Sequence, residues 1–488
     1  MNKPIRAMSI FCLLLFAALL LNATYLQYVD AGSLDKRADN KRVRDAEFSR
    51  KRGAIVAGGT SVAESRRTND QYVYQRVYKE PLKYAQLTGY FSYIYGRAAV
   101  ESSENEILSG SDPRLFVNRV VDLLGNSQPT GGSVTLTVDP KAQNAAFDGL
   151  RALGTHVQGA VVALEPSTGK VLAMVSNPTY DPNLLASHAF GSVQGAWKSL
   201  NSDKDRPLLN RGIQEIYPPG STFKLVTASA ALASGQYTPD TKVKGGASLN
   251  LPQTTTNLVN ENGSTCGGSS ITLTQALEVS CNVSFGDIGL KLGAAALRAQ
   301  AEKFGFGQTY LNDLPGQVPS RFPAHLDQPQ TALSAIGQFD VAATPLQMAM
   351  VASGIADGGT VMRPYVVDEI RAPDLSVLDK TSPEAYRSNA ISSSVARQLT
   401  AMMVEVVDRG TATTAQIPGI KVAGKTGTAQ SSPSRPPYAW FVSFAPADNP
   451  QVAVAVLVED AGVARNAISG SGLAAPIAKK VMEAVIGR

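Results

Sequence analysis

Three short segments carry side chains whose types and spacing suit acyl transfer: Ser221-Thr222-Phe223-Lys224, Ser280-Cys281-Asn282 and Lys425-Thr426-Gly427-Thr428. A serine and a lysine three residues apart on a helix share one face, so the amine can take the hydroxyl proton. An ordinary lysine stays protonated, with a pKa of ~10.4, and becomes a base only when burial or a second cation lowers that value. Lys425 is the candidate second cation. A helix start also presents unpaired backbone N–H groups to an oxyanion. Ser280 can relay a proton, and Asn282 can hydrogen-bond an amide. Lys425 with the hydroxyls of Thr426 and Thr428 can bind a carboxylate, while Gly427 permits close backbone approach.

No single motif is specific. Ser-x-x-Lys begins at Ser33, Ser167 and Ser221, and Ser-x-Asn at Ser103, Ser199, Ser248 and Ser280. Ser33 lies in a charged stretch and Ser167 in a turn, whereas Ser221 follows the helix-breaking Tyr217-Pro218-Pro219-Gly220 and opens the apolar run FKLVTASAALAS. Read alone, Ser221 is a helix-capping serine, Ser280 and Asn282 are turn formers, and Lys425 is a solvated lysine on an edge strand. Their occurrence together, in this order, favours a catalytic reading.

The elements that must position these groups follow from hydrophobic spacing. GGSVTLTVDP alternates at Val134, Leu136 and Val138, a strand closed by Asp139-Pro140, and KAQNAAFDGLRAL has helical spacing. GAVVAL and KVLAMVS flank the turn Glu165–Gly169 as a hairpin. Residues 221–305 and 330–356 are predicted helical, KVAGKTGTAQ, YAWFVSFAP and QVAVAVLVE are predicted strands, and APIAKKVMEAVI a closing helix. Strands at both ends with helices between predict an α+β unit whose sheet is completed by distant parts of the chain.

The 488 residues exceed one ordinary domain, and 44 % hydrophobic with 17 % charged residues is a globular composition. A net charge of +5 without a long Lys/Arg run or a basic patch gives no indication of a nucleic-acid partner. No Cys/His cluster and no HExxH indicates a metal, and no GxSxG or motif-placed histidine indicates a Ser-His-Asp hydrolase. Lys3 and Arg6 precede an apolar run from Met8 to Leu21, continuing weakly to Leu26, without a clear A-x-A site. That reads as an uncleaved signal-anchor over residues 1–29, N-terminus cytoplasmic and the remainder outside, a cleaved signal peptide being the alternative. The charges Lys36, Arg37, Lys41 and Arg42 beyond it weaken the orientation argument. Export leaves Cys266 and Cys281 as an even pair, either disulfide-bonded or two separate buried thiols.

These motifs, with NKRVRDAEFSRKRGAIVAGG, GAVVALEPSTGKVLAMVSNPTYDPN, NRGIQEIYPPGSTFK, AIGQFDVAATPLQMAMVASGIADGG and AWFVSFAP, closely resemble the class B penicillin-binding proteins from about residue 40 onward. The short length and the Ser-Cys-Asn motif are most similar to the actinobacterial penicillin-binding protein A branch of that family. The resemblance implies a membrane helix, an elongated pedestal (dimerisation-type) domain over 30–150 and a penicillin-binding, β-lactamase-like transpeptidase domain over 151–488, with a central antiparallel sheet and flanking helices. It implies a peptidoglycan D,D-transpeptidase inhibited by β-lactams, with Ser221 as nucleophile, Lys224 as base, Ser280 as proton shuttle and Asn282 holding the substrate amide. Lys425, Thr426 and Thr428 would take the terminal carboxylate, and the backbone N–H groups of Ser221 and Thr428 would form the oxyanion hole. No cofactor is implied; a polytopic membrane glycosyltransferase partner is. D,D-carboxypeptidase and β-lactamase activities, and a silent wall-binding scaffold, are the alternatives.

Overall fold

Four runs of consecutive apolar residues mark strands covered on both faces, and the strand that carries Lys425 joins them at one edge. In a computed structural model, which describes residues 2–30, 41–116, 125, 130–430 and 436–487, they form a five-stranded antiparallel sheet. Its order is Ala423–Ala429, Tyr438–Ala445, Val452–Asp460, Gln158–Leu164, Val171–Asn177. Every residue of Tyr438–Ala445 and all but the last of Val452–Asp460 are buried. The helix Pro140–Arg151, capped by the Asp139 carboxylate on the N–H groups of Lys141 and Ala142, packs on Val171–Asn177 and on the final helix Ala475–Ile486. The buried helix Pro345–Ala356 lies against the central strands, and Ser393–Asp408 lies along Ala423–Ala429.

A second sheet has six strands in the order Val377–Lys380, Val367–Arg371, Ser133–Leu136, Ile55–Ala57, Thr60–Arg67, Tyr74–Tyr78. Only Ile55–Ala57 and Ser133–Leu136 pair in parallel. Two of its strands come from beyond residue 360, after the nucleophile segment. Next to it, the buried Glu101 carboxylate joins Arg52 and Arg76, each at 2.6 Å.

The expectation of helix over 221–305 holds only in part. Helices span Lys224–Ala233, Leu273–Glu278, Asn282–Leu292 and Ala294–Lys303. Between them, Ser248–Asn250 pairs with Asn257–Val259 and Lys242–Lys244 with Ser270–Thr272. That stretch is dense in Gly, Ser, Thr and Asn, whose backbone freedom or competing side-chain hydrogen bonds oppose a helix.

At the start of the chain, the span Lys3–Tyr28 contains an 18-residue window with a mean hydropathy of 2.2, none of it buried. Its 26 residues reach about 39 Å at 1.5 Å per residue, enough for a hydrocarbon core of about 30 Å. Among the described residues it is the one helix long and apolar enough to cross a membrane. Lys36 and Arg37, which weaken the orientation argument, lie outside the described residues.

Candidate active site

Ser221 stands on a 3-10 turn, Gly220–Phe223, that runs directly into the helix Lys224–Ala233. The two prolines before it prevent an earlier helix start. The turn is pinned from several sides. Trp440 Nε1 donates to Pro218 O at 2.9 Å, Thr222 Oγ1 to Pro219 O at 2.7 Å, and Gly220 N–H to Gly337 O at 3.0 Å. Gly337 has φ +73°, and a Cβ there would lie 2.1 Å from Gly220 O, so only glycine permits this support.

Lys224 is fully buried beneath that turn. Its Nζ lies 2.6 Å from Ser280 O, 2.7 Å from Asn282 Oδ1 and 3.2 Å from Ser280 Oγ. Lys425 is equally buried, with Nζ 2.9 Å from Ser280 Oγ and 3.0 Å from Thr426 O. Burial, and after it the neighbouring Lys425, holds Lys224 well below its ordinary basicity. Burial pushes Lys425 down to about 7, with Glu261 acting in the opposite direction. A neutral lysine has two N–H bonds and one lone pair. In Lys224 the two closest acceptors occupy the N–H bonds, which leaves the lone pair to receive a hydroxyl proton.

Ser280 lies in the turn between helices Leu273–Glu278 and Asn282–Leu292 and adopts φ +60°, a left-handed conformation costly for serine. Asn260 stabilises the neighbouring helix start. Its Oδ1 accepts from the N–H groups of Asn282 and Val283 at 3.0 and 3.1 Å, and its Nδ2 donates to Gly246 O and Ser264 O. Asn282 Nδ2 donates to Val259 O at 3.1 Å. A disulfide joins Cys266 to Cys281, with Cα atoms 5.8 Å apart, and so ties the 260–267 loop to the Ser280 turn.

Residues Ala423–Ala429 form the edge strand of the sheet, yet nearly all of it is buried because the Ser221 turn covers it. Gly427 allows this approach, since a Cβ would sit 3.0 Å from Pro219 O and Thr222 Cγ2. Thr411 Oγ1 lies 2.7 Å from Thr426 Oγ1, and Thr411 N–H donates to Glu278 O.

These groups surround a cleft with two arms. One, of about 540 Å³, is lined by hydroxyls including Thr411, Thr426, Ser469 and Ser471. The other, of about 440 Å³, is lined by Leu258, Leu333, Ile336 and Phe339. Ser221 and Thr428 line both arms, Ser280 the polar arm and Asn282 the apolar arm. Lys224, Lys425 and Gly427 line neither and act from beneath or behind. The three sequence motifs therefore converge as expected, except that Lys425 faces Ser280 rather than open cleft. Sequence reading missed Asn260, Glu261 and Thr411. They sit in loops without local periodicity, and only the disulfide partner Cys266 marked the 260–267 loop as close to the site.

Comparison with known proteins places this geometry in context. Residues 159–483 match the penicillin binding protein transpeptidase domain, and residues 52–134 the penicillin binding protein A dimerisation domain. The chain is 43 % identical to the peptidoglycan D,D-transpeptidase PbpA of Mycolicibacterium smegmatis, over 100 % of this chain and 99 % of that protein. Identity to PbpA of Mycobacterium tuberculosis is 42 % over the same shares. The ceftriaxone acyl-enzyme complex of penicillin-binding protein A from M. tuberculosis superimposes with a TM-score of 0.87 at 43 % identity, covering 91 % of this chain and 100 % of that one. Its penicillin G acyl-enzyme complex gives 0.84 over 90 % and 100 %.

Proposed function

The chain belongs to the class B penicillin-binding proteins, and on that premise we propose how its residues crosslink peptidoglycan as a serine D,D-transpeptidase. Ser221 Oγ attacks the carbonyl of the penultimate D-alanine of a donor stem peptide, and Lys224 takes its proton. The backbone N–H groups of Ser221 and Thr428 receive the developing oxyanion. Ser280 passes a proton to the departing D-alanine, and Asn282 holds both the substrate amide and Lys224. Thr426 and Thr428 hydrogen-bond the terminal carboxylate, while the positive charge of Lys425 acts on it from beneath. An amine of a neighbouring strand then resolves the acyl-enzyme. A β-lactam imitates D-alanyl-D-alanine and leaves Ser221 acylated.

One observation carries this reading: two buried lysines converge on the Ser280 hydroxyl directly behind the Ser221 turn, with Lys224 losing its ordinary proton affinity. Such perturbed groups at a cleft are what proton transfer near neutral pH requires.

The apolar helix Lys3–Tyr28 supports a single membrane pass. Lys3 and Arg6 support a cytoplasmic N-terminus with the catalytic domain outside, where peptidoglycan lies. A polytopic glycosyltransferase supplying the glycan strands is the partner this placement calls for. The domain division proposed is anchor 1–29, pedestal 30–150 and transpeptidase 151–488. The helix Pro140–Arg151 stands at the seam, since it packs on the transpeptidase sheet.

The test is intact mass after incubation with benzylpenicillin, for wild type beside Ser221→Ala. One persistent adduct on wild type and none on the variant is expected. Rapid loss of the adduct would point to a β-lactamase, and no adduct on folded wild type to a wall-binding scaffold.

A further inference from the structure

The two arms of the cleft share Ser221, Asn260, Glu261 and Thr428. Among the residues lining either arm, Glu261 alone carries a formal charge. No hydrogen bond or ion pair occupies its carboxylate among the described residues. The side chain is exposed, but its backbone is fixed. Asn260, next to it, binds four backbone groups, Gly263 N–H donates to Asn260 O at 3.0 Å, and the Cys266–Cys281 disulfide closes the loop onto the Ser280 turn.

An anion at this junction does not help the first half of the reaction. The donor peptide ends in a carboxylate and a β-lactam carries one, and Glu261 repels both. The reactant that arrives with a positive charge is the acceptor amine, which is protonated near neutral pH. The hydroxyl-lined arm contains Glu261 and is emptied when the leaving amino acid departs.

We propose that Glu261 binds the ammonium group of the acceptor and thereby favours an amine over water as the second nucleophile. This rests on the transpeptidase reading above and assigns that site its acceptor-recognition residue. The ammonium, held beside Ser221, loses one proton to solvent. The amine lone pair then forms a C–N bond to the acyl carbon, and the bond from that carbon to Ser221 Oγ breaks. The second amine proton returns through Lys224 to Ser221 Oγ. Holding the amine near the ester raises its effective concentration, which water does not need.

The test uses the full-length protein, an N-acyl-D-alanyl thioester as donor and a tetrapeptide with a free side-chain amine as acceptor. Mass spectrometry reads the ratio of aminolysis to hydrolysis. For Glu261→Gln the ratio falls about twofold to fivefold, the scale of one exposed ion pair, and Glu261→Asp recovers part of it. Acylation continues in Glu261→Gln, with its acid limb moved to lower pH, because Glu261 raises the proton affinity of both lysines. An unchanged ratio overturns the proposal. Where that unchanged ratio accompanies an equal fall of aminolysis and hydrolysis, Glu261 acts through the lysines alone. A wild type that forms no acyl-enzyme breaks the transpeptidase reading itself, and this inference with it.

Discussion

Lys224 and Lys425 meet at a single oxygen, Ser280 Oγ, at 3.2 and 2.9 Å. Two buried ammonium groups this close cannot both keep their protons at ordinary strength. The positive charge of Lys425 is the second cause, after burial, of the fall in Lys224 basicity. Replacing Lys425 by Met removes that contribution, so Lys224 holds its proton to higher pH. The acid limb of β-lactam acylation is then expected to move up, and the rate near pH 7 to fall about 10²–10³-fold. The pH dependence of the acylation rate constant checks both.

The same lysines tie stability to pH. Both have folded-state values below the unfolded value of ~10.4, with Lys425 near 7. From about pH 7 to ~10 the unfolded chain therefore binds more protons than the folded one, and stability rises with pH across that window. Lys425→Met is expected to melt several degrees higher than wild type at pH 6–7, with the gap closing toward pH 9.5. Thermal melts of the two proteins across this range decide the matter, and a constant gap would contradict it.

Asn260 links the 260–267 loop, the segment at Gly246 that follows the Lys242–Lys244 strand, and the start of the Asn282 helix. Asn260→Ala leaves two helix N–H groups without their acceptor, a loss of about 1–2 kcal/mol. It also loosens Asn282, an acceptor for Lys224. Acylation is expected to slow at least tenfold with only a modest drop in melting temperature. Stopped-flow acylation beside a thermal melt separates the two effects.

Thr411 connects two catalytic segments, bonding the Thr426 hydroxyl while its N–H reaches Glu278 O just before the Ser280 turn. Thr411→Val keeps the shape but loses the hydroxyl. It is expected to lower the acylation rate about tenfold, with Thr411→Ser restoring it. Equal rates for all three proteins would show that the Thr411–Thr426 hydrogen bond positions nothing.

Much of this architecture is legible in the sequence because the residues that matter state their environment locally. The unbroken apolar runs around Val161, Val442 and Val456 announce strands, and Asp139-Pro140 announces a strand end, where the structure adds the Asp139 cap of the helix that follows. The prolines before Ser221 locate the nucleophile turn, although not its 3-10 form, which depends on Gly337 reaching it from more than a hundred positions away. Lys425 could be chosen as the second cation from charge logic, yet its full burial follows only from packing of the Ser221 turn over an edge strand. Glu261 and Thr411 have no such signature. Their neighbours along the chain are polar loop residues, and what makes them part of the site is tertiary placement alone.

The strand Ser133–Leu136 is sandwiched between Ile55–Ala57 and Val367–Arg371. As the chain is synthesised and exported, the Ser221 and Ser280 motifs emerge first, and only with Val367–Arg371 does that strand gain its second neighbour. Until then the six-stranded sheet is missing two strands and Ser133–Leu136 presents an open edge, the kind of surface that invites pairing with another chain. A nascent protein stalled short of residue 367 thus carries that unpaired edge. Severing the catalytic half for expression alone would move the same exposed edge onto Val367–Arg371.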